Sequence, residues 1–381
     1  MRILFTGGVT GGHFYPILSV AEELKALVKE KKIIEPELYF MAPTPYNAGA
    51  LYEAGIVYKK NSAGKLRRSP GVLNIFRNFL DLFRTLWGVL SSVMQVYSLY
   101  PDVVFGKGGY GSFPALLAAR ILHIPVVIHE SDTVPGKVNM WAGGFAERVA
   151  VSYREAAQYF VSDKVAYTGQ PVRKDIAMPI TAGSREFLKI EEGIPVVLIL
   201  GGSQGAQRLN ETILSSLKKL VETHIIIHQT GAKNFEEVKM TADAVLFDSP
   251  FKDRYKPFDY LNALALRMAA GVATVVVSRA GSTIFEIAAW RVPAIIVPID
   301  EKIAHDQHSN AFAYARAGGC EVIEDKNLRP NILISEIARL TNEPETRTRM
   351  QESAKAFYKP DAARLIAEEI LKIALEHEVE K

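Results

Sequence analysis

Cysteine is almost missing from this chain of 381 residues: Cys320 stands alone, which excludes an internal disulfide and fits a reducing compartment. Beside Gly318 and Gly319 it reads as a small apolar core residue rather than a reactive thiol. Strong charge is missing as well. Lys and Arg total 45 against 42 Asp and Glu, a net charge of +3, and a nucleic-acid binder would need a clustered basic excess. A membrane span is missing: the uncharged stretch Thr85 to Tyr100 carries Gly88, Ser91, Ser92 and Gln95, whereas spanning takes about 20 predominantly apolar residues. The chain starts directly in a hydrophobic strand without a charged and then apolar leader, so the expectation is a cytoplasmic protein. There is also no Asp-x-Asp pair, no His-Glu-x-x-His and no Cys/His array, so neither a tight metal site nor a resident cofactor is expected.

Two glycine-rich turns are present. Gly7-Gly8-Val9-Thr10-Gly11-Gly12-His13 and Gly201-Gly202-Ser203-Gln204-Gly205-Ala206 each follow a short hydrophobic run and precede a helical pattern. Glycine permits close backbone approach, and amides at a helix N-terminus favour anionic oxygens. Neither turn has the order G-x-G-x-x-G. The second strand ends in Ala42-Pro43 without the acid that a nicotinamide ribose requires, which disfavours a dinucleotide dehydrogenase.

With 48% hydrophobic residues the chain can bury a large core, and its length reads as two domains. The spacing predicts strands over 2–6, 37–42, 56–60, 102–106, 125–129 and 148–151, with helices over 14–30, 72–98, 113–122 and 135–144. The rhythm restarts with strands over 195–200, 224–228, 243–247, 273–277, 294–298 and 320–323. Such alternation is α/β, a parallel sheet with helices on both faces. Gly169-Gln170-Pro171 falls between the two series as a linker. Ligands of open parallel sheets sit outside the carboxyl ends of the strands, so two facing sheets would place a site in a central cleft.

The chemistry-bearing residues lie at those strand ends. His13, at a helix start, suits an unprotonated imidazole whose pKa is lowered by the positive helix end, or a capping histidine. Gly106 to Ser112 holds four glycines in seven residues, more than one tight turn explains, and a diphosphate is a candidate occupant. Tyr110 there fits sugar stacking or packing on its own helix equally. His129 and Glu130 end a strand, with Asp132 and Asn139 near the same rim; a carboxylate beside an imidazole fits shared acid–base work or a polar rim. Ser278-Arg279-Ala280-Gly281-Ser282-Thr283 opens the helix holding Glu286, which fits a ribose contact or a first-turn acid complementing the helix dipole. The polar run His305 to Asn310 suits sugar hydroxyls better than zinc.

Taken together, these residues resemble the MurG family of family 28 glycosyltransferases over nearly the whole chain. The resemblance rests on Gly7 to His13 with Pro16, Gly108-Gly109-Tyr110, His129-Glu130, Gly169-Gln170-Pro171-Val172-Arg173, Gly201 to Ala206 with Asn210, and Arg279-Ala280-Gly281 with Glu286. It implies a GT-B fold, two Rossmann-like domains over 1–170 and 171–357, the first completed by the C-terminal helix 358–381. It implies inverting transfer of N-acetylglucosamine from UDP-N-acetylglucosamine to the muramyl C4 hydroxyl of lipid I, giving lipid II for peptidoglycan synthesis, and with it cell shape and division. His13 would be the base, with Glu130 in a catalytic role. The donor would meet Thr10, Gly11, Gly12, Asp132, Arg173, Ser203, Phe251, Ser282, Thr283, Glu286 and Gln307. The acceptor would meet Gly108, Gly109, Tyr110, His129 and Asn139. The family's usual His-Glu-Gln-Asn stands here as His129-Glu130-Ser131-Asp132, its Gln-Gln pair as Asp306-Gln307, and the loop between Gly281 and Glu286 is one residue shorter.

A lipid acceptor implies a membrane surface, the cytoplasmic side of the cell membrane, and possible partners in wall synthesis. From Ile56 to Tyr100 the cations Lys59, Lys60, Lys65, Arg67, Arg68, Arg77 and Arg84 oppose only Asp81, interleaved with Ile75, Phe76, Phe79, Leu80, Phe83 and Trp87. Residues 65–84 are therefore expected to rest on anionic lipid, with Val89 to Val96 largely core. The rival readings are a GT-B transferase for another lipid, a UDP-N-acetylglucosamine 2-epimerase, and a non-catalytic sugar-nucleotide-binding subunit.

Overall fold

Strand β1 (Arg2–Thr6) shows why this sequence builds a sheet covered on both sides. Successive side chains of a strand point to opposite faces, and Ile3 and Phe5 enter one apolar core while Leu4 enters another. The computed structural model describes residues 1–64, 72–201, 206–299 and 305–380. They form two compact units, Met1–Arg173 with Lys359–Lys381, and Lys174–Tyr358.

In the first unit β1 is joined by β2 (Glu37–Ala42), β3 (Ile56–Lys60), β4 (Val103–Gly106), β5 (Val126–Glu130), β6 (Arg148–Val151) and β7 (Val165–Tyr167), in the order β3-β2-β1-β4-β5-β6-β7. All neighbours pair in parallel. Helices Gly11–Glu30 and Ala362–Glu380 cover one face, while Val72–Leu99, Phe113–Ile121 and Lys137–Gly143 cover the other. The last helix contributes Ile366, Ile370, Leu371 and Ile373 to the core beneath β1 and β2. Its Arg364 pairs with Glu30 at 2.8 Å and its Glu369 with Arg148 at 2.8 Å.

The second unit comprises β8 (Val196–Leu200), β9 (Ile225–Gln229), β10 (Tyr255–Phe258), β11 (Ala273–Ser278), β12 (Ala294–Ile296) and β13 (Cys320–Val322), ordered β10-β9-β8-β11-β12-β13 and again parallel. Leu198 and Leu200 face one core, Val197 and Ile199 the other. Cys320 lies in the first of these cores, and burial pushes its thiol up, away from the reactive thiolate.

One expected strand is corrected. Residues 243–247 end the helix Phe235–Val245, because Val238, Ala242 and Leu246 recur at helical spacing and all are buried, while Phe247 points to water. The true edge strand is β10. Each sheet reverses its winding once, between β1 and β4 and between β8 and β11, and the crevice at such a switch point is where ligands of open α/β sheets bind. Those four strand ends carry Gly7, Lys107, Gly201 and Arg279.

Candidate active site

In the first unit the helix Gly11–Glu30 begins after Thr10, which is extended at φ −123° and ψ 158°. The Thr10 hydroxyl does not cap the helix; it lies 2.7 Å from Nδ1 of His13. The half-buried imidazole rests on glycine. A Cβ on Gly8 would come within 2.7 Å of that Nδ1, and one on Gly109, whose φ is +79°, within 2.8 Å of the Gly8 Cα. Burial and then the Lys107 ammonium pull His13 down to about 4. The ring is therefore unprotonated at neutral pH, and the cause is desolvation rather than the helix end expected from the sequence. If Nδ1 carries the proton and donates it to Thr10 Oγ1, Nε2 keeps the lone pair that a base needs.

Behind this rim lie Glu130, His129 and Asn139, all buried. Glu130 is 4% exposed. Its Oε1 accepts from the amides of Ser131 at 2.7 Å and Asp132 at 3.0 Å, and its Oε2 from Gly136 N at 3.1 Å and Asn139 Nδ2 at 2.9 Å. A carboxylate so occupied organises the loop 131–136 and is not placed for acid–base exchange. His129 is 0% exposed, with Nε2 3.0 Å from the Gly169 carbonyl and 3.2 Å from Ser152 Oγ. Burial, then Lys107, holds it well below the usual imidazole range. Asn139 is 2% exposed and also donates to the His129 carbonyl at 3.0 Å. His129 and Asn139, both expected at the acceptor, are therefore buried beneath the rim in this structure. Gly108 is glycine because a Cβ there would come within 2.7 Å of Asn139 Nδ2. Tyr110 opens the turn Tyr110–Ser112 and stays half-buried at the rim, as does Asp132.

The sequence reading missed Lys107 and Gln170. Lys107 Nζ donates to Ser131 Oγ, which donates to Gln170 Oε1 at 2.9 Å; Ser152 Oγ donates to the same oxygen at 2.8 Å. This chain of polar groups joins the ends of β4, β5 and β6 to the Gly169-Gln170-Pro171 segment. A cation inside a glycine run was the one available signal. Arg173, expected at the uracil, ends the first unit with its guanidinium 4.5 Å over the Tyr15 ring.

In the second unit Arg279 turns inward. Its guanidinium donates to the carbonyl of Val297 at 3.2 Å and to Asp325 Oδ1 at 2.7 Å, while Arg208 meets Asp325 Oδ2 at 3.1 Å. Asp325, another residue without a sequence signal, thus ties the loop after β11 to the helix Gln207–Thr223. The Arg279 side chain braces the loop, and its backbone with Ser282 and Thr283 leads into the helix Thr283–Trp290. A Cβ on Gly281 would meet nothing within 4 Å, so this turn is open. Glu286 is half-buried in the first turn of that helix. Gln307 stands on the helix His305–Arg316, its Oε1 buried without a hydrogen-bond partner among the described residues. Phe251 packs into the core under the Arg254 guanidinium, 4.4 Å away, and its amide donates to Ser249 Oγ at 3.3 Å. Ser203 lies outside the described residues. At the end of β9, His228 is fully buried between Tyr255 OH at 2.9 Å and Asn210 Oδ1 at 3.1 Å, and burial pulls it to about 3. Among the described residues no cluster of His, Cys, Asp and Glu has the makings of a metal site.

Residues 3–151 match the glycosyltransferase family 28 N-terminal domain, and residues 196–366 the family 28 C-terminal domain. The chain is 36% identical over 351 residues to the UDP-N-acetylglucosamine--N-acetylmuramyl-(pentapeptide) pyrophosphoryl-undecaprenol N-acetylglucosamine transferase of Treponema denticola, spanning 87% of this chain and 86% of that one. In fold it is similar to the crystal structure of MurG from Acinetobacter baumannii, with a TM-score of 0.70, 24% identity and coverage of 97% and 99% of the two chains. It is also similar to the UDP-GlcNAc 2-epimerase of Neisseria meningitidis bound to UDP-GlcNAc, with a TM-score of 0.68, 18% identity and coverage of 98% and 100%. The architecture alone therefore does not separate transferase from epimerase; the sequence likeness does.

Proposed function

The chain belongs to glycosyltransferase family 28, and from that premise we infer that it transfers N-acetylglucosamine from UDP-N-acetylglucosamine to the C4 hydroxyl of N-acetylmuramic acid in lipid I, yielding lipid II for peptidoglycan synthesis. The observation that carries the chemistry is an unprotonated His13 held on glycine at the β1/β4 switch point. The acceptor hydroxyl gives its proton to His13 Nε2 as its oxygen bonds to the anomeric carbon. The bond from that carbon to the β-phosphate oxygen breaks, its electron pair leaves with UDP, and the configuration inverts. Thr10, Gly11 and Gly12 line the sugar and the acceptor diphosphate, with Asp132 and Tyr110 at the same rim. In the second unit the backbone of Ser282 and Thr283 meets the donor diphosphate, Glu286 the ribose hydroxyls, and the Gln307 amide oxygen, without a partner among the described residues, a sugar hydroxyl. Ser203 and the backbone near Phe251 complete the donor side.

Labelled N-acetylglucosamine should pass from UDP-N-acetylglucosamine to a short-chain lipid I analogue, with and without chelator. The disaccharide product supports the reading, and its persistence in chelator assigns the leaving diphosphate to amides. Interconversion of UDP-N-acetylglucosamine without transfer would instead make the chain an epimerase.

No described helix is long and apolar enough to cross a membrane, yet the acceptor carries a lipid. In this reading the enzyme works peripherally on the cytoplasmic leaflet. The helix Val72–Leu99 presents Phe79, Phe83, Leu86, Trp87, Leu90, Met94 and Tyr97 to solvent along one stripe, with Trp87 70% and Met94 74% exposed. The stripe runs past residue 84, further than the sequence suggested: Val96 is core, but Leu90 and Met94 are not. Lys65, Arg67 and Arg68 lie outside the described residues, and Arg84 pairs with Asp81 at 3.0 Å. Replacing Phe83 and Trp87 together by serine is expected to lower co-sedimentation with anionic vesicles by about tenfold or more, because burying each ring is worth roughly 1.5–3 kcal/mol. Unchanged binding would place the lipid contact elsewhere.

A further inference from the structure

Lys107 follows β4 and is 2% exposed. Its amide donates to the Thr6 carbonyl at 2.8 Å, which fixes it under the first glycine turn, where a Cβ on Gly7 would lie 3.5 Å from its own. An ammonium leaves water at a cost that only hydrogen bonds and opposite charge offset, so a position needing volume alone would suit methionine. The groups around it are His13 from the helix Gly11–Glu30, His129 and Glu130 from β5, and Ser131 and Asp132 from the loop that follows. Glu130 is already engaged by four N–H donors. Asp132, at the rim in the loop after β5, is the second carboxylate that acts to keep Lys107 charged, and it is the one an anionic acceptor would approach.

We propose that Lys107 is a positioning residue for sugar transfer: its ammonium pins the Ser131–Asp132 loop beneath the glycine turn carrying His13 and cancels the charge of Asp132 beside the acceptor diphosphate. The inference deepens the transferase reading and rests on it. Burial pulls Lys107 to about 8, with Glu130 and Asp132 acting to keep it charged, so transfer should fall as pH rises through that region. Its proximity also helps to keep His13 unprotonated on the acid side.

The test compares Lys107→Met, Asp132→Asn and the double variant in steady-state transfer to a lipid I analogue, with separate donor and acceptor KM values and pH profiles. Lys107→Met is expected to lower kcat/KM for the acceptor by roughly 30-fold or more, since it removes the cation that both carboxylates face. Adding Asp132→Asn should restore roughly tenfold, the scale of coupling between residues in one network. The acid limb of Lys107→Met should move to higher pH, and that of Lys107→Arg should stay in place. A double variant no better than Lys107→Met, or an acid limb that does not move, overturns the proposal. Should Lys107→Met fail to fold by circular dichroism, Asp132→Asn alone decides: losing that carboxylate should move the alkaline limb to lower pH, and an unmoved limb is equally fatal. The rescue arm, run at one pH, is independent of His13. Thus His13→Ala retaining turnover would remove the base assignment without touching the Lys107–Asp132 coupling, and no transfer by the unmodified chain would remove the transferase reading itself.

Discussion

Replacing His13 by alanine should lower kcat by about 10²- to 10⁴-fold, the range of general acid–base catalysis, while the KM for UDP-N-acetylglucosamine changes little. The split follows from where the residue sits. His13 belongs to the first unit, whereas the residues assigned to diphosphate and ribose belong to the second. The pH profile supplies a second readout. A free imidazole would place the acid limb of kcat/KM near pH 6.5, but burial and Lys107 bring His13 to about 4. Because the base form exists above its pKa, the unmodified enzyme should keep its kcat/KM as pH falls from 7 to 5 and lose it only below that. In His13→Ala this limb should vanish along with most of the turnover. Turnover within tenfold of the unmodified chain would sink the base assignment.

His13 stood out in the sequence because it directly follows the glycine-rich turn Gly7 to Gly12 at a helix start, and the core strands were legible because buried strands such as Val196–Leu200 are continuous aliphatic runs. The edge strand β10 was hidden for a physical reason. Tyr255-Lys256-Pro257-Phe258 pairs on one side only, with β9, which tolerates a proline and a half-buried lysine that an interior strand would reject. β7 is three residues long and only partly buried, too short to leave a period.

The surroundings of the polar rim were hidden for another physical reason. His129 and Glu130 look like a catalytic pair in one dimension because they are adjacent at a strand end. Adjacent strand residues point to opposite faces, and in a sheet covered on both sides that sends each into the protein: His129 toward Gly169 and Ser152, Glu130 toward the amides of its own loop. Gln170 and Asp325 were illegible because their partners stand far off in sequence, and no local pattern records a contact such as Arg279 with Asp325; Lys107 was marked only by being a cation inside a glycine run.

Ending the chain at Pro360 should unfold the first unit and spare the second. The helix Ala362–Glu380 seals one face of the first sheet. Ile366 is 2% exposed, Ile370 0%, Leu371 1% and Ile373 9%, and at roughly 1.5–3 kcal/mol for each buried aliphatic side chain the four together contribute about 6–12 kcal/mol. That rivals the whole net stability of a domain, about 5–15 kcal/mol, and the exposed pairs Arg364–Glu30 and Arg148–Glu369 add little beside it. The second unit draws its cores from residues 176–354 and keeps them intact. Calorimetry of the truncated chain should therefore lose or sharply lower one transition and retain another, UDP binding should survive, and sugar transfer should be abolished. A thermogram matching that of the full chain would show that the C-terminal helix is dispensable to the first core, and the assignment of residues 359–381 to the first unit would then have no energetic meaning.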